Sequence, residues 1–254
     1  MVGNMAGNGR KVIVDVRDVR MVYNSKNRDE STHVHALRGL TLDVYENEFF
    51  AIMGPSGSGK STLFNQIGAL QTPTSGEVLI EGINLATLSP QKLAAVRCFE
   101  LGYIFQTYNL LPVMSALMNV ALPTVFAGMT TAEGEQRAQE CLDIVGLGDR
   151  SHHLPAELSG GQQQRVAIAR AFVNKPRIIL ADEPTGNLDS KTGQEIIDYM
   201  KSLQQEMGTT IITVTHDDKM LTVADRMAWI RDGQMERLAE RDEIEIQMGS
   251  IKEH

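Results

Sequence analysis

Eight consecutive residues, Gly54-Pro55-Ser56-Gly57-Ser58-Gly59-Lys60-Ser61, carry the clearest chemistry in this 254-residue chain. A glycine, four residues and then Gly-Lys-Ser is the spacing of a loop that wraps phosphate oxygens with backbone N–H groups. Glycines let the backbone curl that closely, and a helix starting at the loop's end adds partial positive charge. Lys60 brings a point charge to the outer phosphates, and the Ser61 hydroxyl suits a Mg²⁺ ion. Thr62 follows in the same first turn and is counted with the binding residues. The sequence therefore predicts a nucleoside-triphosphate site built on residues 54–62.

Two further groups fit the same chemistry. Arg177-Ile178-Ile179-Leu180-Ala181 is an apolar run that ends on Asp182 and Glu183. A carboxylate at the C-terminal end of a strand faces the ligand crevice of an open α/β sheet. Asp182 is expected to hold the Mg²⁺ shell, and Glu183 to orient and deprotonate the attacking water. Leu158-Ser159-Gly160-Gly161-Gln162 leads into the helical pattern Gln163 to Ala171. Ser159 reads as the N-cap of that helix. The two glycines after it leave bare backbone N–H groups, a second phosphate-binding surface.

The elements that must position these residues follow from hydrophobic patterning. Val12 to Tyr23 alternates as a strand, the polar Asn24 to His35 reads as a loop, and Leu37 to Tyr45 returns antiparallel to the first strand. Phe49 to Met53 is the strand entering the phosphate loop. Ser89-Pro90 predicts an N-cap with proline at the first helical position, for a helix to about Phe99. Gly102 to Gln106 is a short strand, and from there to about Leu158 the pattern is helical, with Thr130 or Thr131 capping a helix down to Val145. Strands Arg177–Ala181, Thr209–Thr215 and Arg226–Ile230 then alternate with a helix over Lys191–Gln205, which argues a parallel sheet covered by helices. The tail from Glu240 is acidic and reads as a loose surface helix.

Composition bounds the rest. Acidic residues outnumber Lys and Arg by 32 to 24, a net charge of -8, which argues against a nucleic-acid partner because phosphate backbones demand an excess of cations. Cys98 and Cys141 stand without a CxxC spacing or a histidine nearby, and are expected to be reduced core thiols. Met1 to Lys11 has no apolar stretch, so no secretory signal is predicted. Ser115 to Met129, the longest apolar region, is too short to cross a membrane. If the chain acts at a membrane, another subunit spans it.

The ordered set of motifs resembles the ATP-binding-cassette (ABC) ATPases over about residues 12–235. The resemblance implies an α/β P-loop NTPase core with a mixed sheet, an N-terminal antiparallel β subdomain and an inserted α-helical subdomain. It places the core at 12–106 and 159–238, the helical insert at 107–158 and an acidic tail at 239–254. It also implies roles: Tyr23 stacks on adenine, Gln106 reaches Mg²⁺ and the attacking water, Asp189 lies in the loop Asn187-Leu188-Asp189, and His216 stands near the γ-phosphate. In that family two cassettes pair head to tail, and Ser159, Gly160, Gly161 and Gln162 of one close over the ATP of the other. ATP and Mg²⁺ are the implied cofactors.

Within the family, Pro73 to Gly76, Phe105 to Pro112 and Ala181 to Asp189 resemble the macrolide-export and lipoprotein-release (MacB/LolD) type. That likeness implies a permease partner, a homodimer of the ATPase, an extracytoplasmic adaptor and peripheral placement on the cytoplasmic face of the inner membrane. Its function would be force transmission that exports or extracts a hydrophobic, lipidated or drug-like substrate. The alternative is the cell-division type, similar to FtsE, which regulates cell-wall hydrolases without transport. Asn47 and Gln71 depart from the pattern, where glycine and an acidic residue are usual. Leu110 to Met129 divides between helical core and a groove for a membrane-subunit helix.

Overall fold

The computed structural model describes residues 9–24 and 29–244. In chain order these form β1 (Val12–Tyr23), β2 (Val34–Tyr45), β3 (Phe49–Met53), α1 (Lys60–Ile67), β4 (Ser75–Ile80), β5 (Ile83–Asn84) and α2 (Pro90–Phe99). There follow β6 (Leu101–Ile104), α3 (Ala116–Phe126), α4 (Thr131–Ile144), α5 (Gly160–Phe172), β7 (Ile178–Asp182), α6 (Ser190–Met207), β8 (Thr210–Thr215), β9 (Arg226–Arg231) and β10 (Gln234–Glu240). Contacts group the chain into two compact units, one made of residues up to 93 and from 212, the other of 94–211. The divisions fall inside α2 and β8.

The first unit holds a four-stranded antiparallel sheet in the order β2-β1-β4-β5. Along β1 the buried Val14, Val16 and Val19 pair with the buried Val44, Leu42 and Leu40 of β2. A bulge interrupts the pairing at Asp18, which has φ 45° and donates its N–H to the Thr41 hydroxyl at 2.9 Å. Gly76, at φ 84°, lies against the Arg17 and Asp18 carbonyls where a Cβ would collide. The same unit carries β3, buried at every residue, paired parallel with β9, which pairs antiparallel with β10. Residues buried on both faces of a parallel strand read as a continuous apolar run, as Phe49 to Met53 does.

Arg226, 2% exposed, ties the strand ends of this unit together. Its guanidinium donates to Glu48 at 3.2 Å, Glu240 at 3.0 Å and the Asp43 carbonyl at 3.0 Å, and lies 4.4 Å from the Tyr45 ring centre. A buried cation needs such partners, since an unpaired one is expelled or neutralised.

In the second unit β6 and β7 pair in parallel, Leu101 opposite Ile178 and Ile104 opposite Ala181. Helices α3, α4 and α5 pack around Val120, Leu142, Val145, Leu158, Val166 and Val173. Ser115 caps α3, and Thr130, rather than Thr131, caps α4 in a reciprocal box with Glu133. Cys141 is buried in this cluster and Cys98 is half-buried; both are free thiols.

Several boundaries differ from the sequence reading. β2 begins at Val34, because Val34 and His35 pair with Tyr23 and Val22 although both are exposed and carry no burial pattern. The sequence reading holds no strand at Gln234–Glu240, where only Ala239 is buried and the first four residues are exposed, too polar for alternation to reveal. Residues 239 and 240, assigned there to the acidic tail, complete this strand, and the short β5 is likewise unmarked. Parts of three sequence-based expectations, at residues 1–8, 25–28 and 245–254, lie outside the described residues. Among the described residues, no helix is long and apolar enough to cross a membrane.

Candidate nucleotide-binding site

The phosphate loop leaves β3 at Gly54 and enters α1 at Lys60. Gly54, at φ 156°, passes the Ile230 carbonyl so closely that a Cβ would collide with it. Gly59, at φ 105°, stands at the N-cap of α1; a Cβ there would sit 2.6 Å from the Ala36 carbonyl. The loop is held from beneath by Gly233 N–H to the Ser58 carbonyl at 3.0 Å and by Arg38 N–H to the Gly233 carbonyl at 2.9 Å. Pro55, Ser56 and Gly57 face solvent, and a Cβ on Gly57 would meet nothing within 4 Å.

These features fit a phosphate ligand. Helix α1 has no side-chain cap, so the N–H groups of its first turn remain available for an anion. The Ser58 hydroxyl is buried without a hydrogen-bond partner among the described residues. Lys60 donates to the carbonyls of Gly54 at 2.7 Å and Pro55 at 3.0 Å. An ammonium carries three donors, which leaves one for a phosphate oxygen. Ser61 is exposed and Thr62 half-buried on the same turn.

Tyr23, at the end of β1, is 36% exposed and donates its hydroxyl to the Gln71 side chain at 3.0 Å, 3.4 Å from the Thr62 hydroxyl. Its ring is thereby fixed beside α1, and the unusual Gln71 serves as its acceptor. Asn47 turns β2 into β3 at φ 62°, a left-handed position that glycine or asparagine takes most readily. His216 follows β8 and is exposed. The next helical turn is capped by Asp217, not by His216, with Asp217 accepting from Lys219 N–H at 3.0 Å.

The other predicted residues lie in the second unit. Asp182 ends β7, and Glu183 follows at φ 46°, a left-handed conformation uncommon outside glycine. The turn after it closes through Gly186 N–H to the Glu183 carbonyl at 3.0 Å and Leu188 N–H to the Thr185 carbonyl at 3.0 Å. Buried Gln164 of α5 pins it by donating to the Pro184 carbonyl at 2.7 Å. Gln106, exposed after β6, has its carbonyl held by Asn187 at 2.7 Å, and its side chain crosses Gly186, where a Cβ would sit 2.7 Å from Nε2.

Ser159 caps α5 reciprocally with Gln162. Gly160 and Gly161 let this helix start approach its neighbours. A Cβ on Gly160 would lie 3.1 Å from the Tyr108 hydroxyl, and one on Gly161 2.7 Å from Thr192. The helix start opens into a cleft of about 460 Å³ lined also by Arg165, Asn187 and Asp189. Asp189 caps α6, accepting from the Lys191 and Thr192 N–H groups at 3.1 and 3.0 Å, and the Thr192 hydroxyl above all holds its carboxyl below the ordinary value.

The sequence matches the profile of the ABC transporter family over residues 37–186. An uncharacterized ABC transporter ATP-binding protein of Thermotoga maritima is 49% identical over 231 residues, 91% of this chain and 97% of its own length. The chain belongs to the ABC transporter ATP-binding proteins. As in that family, the cassette is an ATPase. It is also 47% identical to the macrolide export ATP-binding/permease protein MacB of Brucella melitensis over 87% of the chain, spanning 34% of that longer protein. The cassette MJ0796 of Methanocaldococcus jannaschii, solved as a dimer in a post-hydrolysis state bound to ADP and Pi, superimposes with a TM-score of 0.81. That match is 44% identical and covers 90% of this cassette and 98% of the other.

Residues that shape the cassette's loops escaped the sequence reading. Asn119, inside the apolar stretch Ser115 to Met129, is fully buried, with its side-chain amide within hydrogen-bond distance of four backbone groups. Arg170, an isolated charge in the apolar stretch Val166 to Val173, was a visible signal left unused. A cation set among core residues must find partners.

Proposed function

We propose that this cassette is the ATPase subunit of a membrane complex, that it pairs head to tail with a second copy, and that the pair drives a permease subunit. The cassette sits peripherally on the cytoplasmic face of the inner membrane, and the complex exports or extracts a hydrophobic, lipidated or drug-like substrate by force transmission. One observation carries the head-to-tail reading. Besides the loop before α1, the chain presents a second helix start, at Ser159-Gly160-Gly161, opening into a cleft of about 460 Å³. One bound nucleotide per chain occupies one such surface; the other serves a neighbour.

In this reading the backbone of Gly54 to Ser61, with Lys60 and Thr62, holds the phosphates, and Tyr23 offers its ring to adenine. Glu183 takes the proton of the attacking water, which Gln106 and His216 orient. Ser61, Gln106 and Asp182 offer only oxygen donors, the hard set that Mg²⁺ prefers. Bound there, Mg²⁺ would neutralise charge on the phosphates. Ser159, Gly160, Gly161, Gln162 and Asp189 close over the partner copy's ATP.

The coupling surface is assigned to the helical segment 107–158. After Gln106 the chain displays Leu111, Val113 and Met118 at 39%, 85% and 49% exposure. Methionine and aliphatic side chains exposed together suit a docked helix. The test of the ATPase reading is Glu183→Gln, which keeps ATP binding and slows hydrolysis by about 10²–10⁴. Light scattering at saturating ATP and Mg²⁺ should then register a dimer. A wild-type hydrolysis rate would remove Glu183 from the base's role.

A further inference from the structure

The segment after Gln106 is held in an unusual shape. Tyr108 and Asn109 are consecutive non-glycine residues with φ 60° and 50°, a left-handed pair that L-residues adopt only when their surroundings impose it. The imposing group is Arg170 of α5. Its Nη2 donates to the Tyr108 carbonyl at 2.6 Å and its Nη1 to the Asn109 carbonyl at 2.6 Å. A rigid planar fork matches two acceptors at a fixed spacing in a way that an ammonium cannot. Bonds within the segment complete the turn: Tyr108 N–H to the Phe105 carbonyl at 3.1 Å, Asn109 N–H to the Thr107 carbonyl at 2.6 Å, and the Thr107 hydroxyl to the Asn109 side chain at 2.9 Å.

This clasp joins two functional segments. Gln106 lies two residues before Tyr108. Arg170 lies on the helix that opens with Ser159, Gly160 and Gly161, about three turns further along. The Tyr108 hydroxyl rests at the start of the same helix, against the bare face of Gly160. The glutamine segment is thus fastened to α5 at both ends of the helix, by its backbone to Arg170 and by its ring at Gly160.

We propose that Arg170 is a positioning residue for hydrolysis: its guanidinium fixes the left-handed turn at Tyr108 and Asn109, and so sets Gln106 and makes it move as one body with the helix bearing the Ser159 motif. The inference rests on the role of Gln106 proposed above. Burial pushes the Arg170 pKa below its ordinary value.

The test compares ATP turnover and nucleotide affinity of the purified full chain in five forms: wild type, Gln106→Ala, Arg170→Met, Arg170→Lys, and Arg170→Met combined with Asn109→Gly. Misplacing a group by about 1 Å can cost roughly 10²-fold, and a loss of about 10- to 100-fold in kcat is expected for Arg170→Met, with nucleotide affinity unchanged. Arg170→Lys should behave similarly, because it keeps the charge and loses the fork; it carries the test if Arg170→Met does not fold. The added Asn109→Gly should restore a substantial part of kcat, since glycine takes the left-handed conformation without the clasp. Wild-type kcat in both Arg170 variants, with Gln106→Ala impaired, would overturn this proposal alone. A loss that Asn109→Gly leaves untouched would reduce Arg170 to packing of α5 and overturn it too. Wild-type turnover in Gln106→Ala would overturn the reading beneath it.

Discussion

Replacing Asn119 with alanine isolates one device that shapes the surface assigned to coupling. The side chain is fully buried at the start of α3. Its Oδ1 accepts the Leu111 N–H at 2.7 Å, and its Nδ2 lies 3.1, 2.9 and 3.0 Å from the carbonyls of Leu111, Met114 and Ser115. An amide has two protons to donate, and the Ser115 carbonyl also takes the Asn119 N–H at 2.9 Å. The truncation therefore removes one accepted and two donated bonds. At about 1 kcal/mol each, the closed form of residues 111–115 loses about 3 kcal/mol, a change of roughly 100-fold in the opening equilibrium. The segment can recover its hydrogen bonds from water by opening, so the effect is local. Amide exchange at Leu111 should accelerate by about that factor, while ATP affinity, which depends on the loop before α1, stays at its wild-type value. Unchanged exchange at Leu111 alongside a lowered melting temperature would refute the reasoning, and would make Asn119 a helix-packing residue only.

Two further substitutions probe the first unit. Gly59→Ala forces a Cβ at φ 105° to within 2.6 Å of the Ala36 carbonyl and 2.9 Å of Leu37; strain of about 1–3 kcal/mol should lower the melting temperature by roughly 2–12 °C, and ATP titration should register weakened binding. An unchanged melting curve would mean that the loop relaxes freely. Arg226→Met removes one of the two guanidiniums on Glu48, 1% exposed, and leaves Arg10 at 2.9 Å on its other oxygen; breaking a buried pair costs up to about 3–5 kcal/mol, or up to roughly 6–20 °C. A shift within error would show that Arg10 alone satisfies Glu48.

What the sequence made legible follows from where information is local. A glycine loop between a buried strand and a helix is written in eight adjacent residues, and β1 and β3 were readable because alternation and continuous burial each leave a direct pattern. Ser159 was readable as a cap, and the start of α4 to within Thr130 or Thr131, because capping is decided within four residues. The rest depends on partners remote in sequence. β10 is a strand because β9 lies beside it, not because Gln234 to Glu240 favours one. Gly186 reads as part of a turn, yet its lack of a side chain accommodates Gln106, 80 positions earlier. The left-handed turn at Tyr108 and Asn109 contains no glycine to announce it; its cause is Arg170, more than 60 residues away.

The central claim is that each ATP is sandwiched between the loop before α1 of one copy and the Ser159 helix start of the other. Mixing two inactive chains tests it most directly. Lys60→Ala removes the phosphate cation, and Ser159→Arg blocks the γ-phosphate of the neighbour while leaving its own loop intact. Co-expressed under different tags and purified through both, the mixed dimer has one site with both lesions and one site with neither. The measurement is ATP hydrolysis by that doubly purified species. The account predicts activity well above either single-variant dimer, up to about half of wild type if the two sites turn over independently. Verified mixed dimers with no more activity than the single-variant dimers would contradict it.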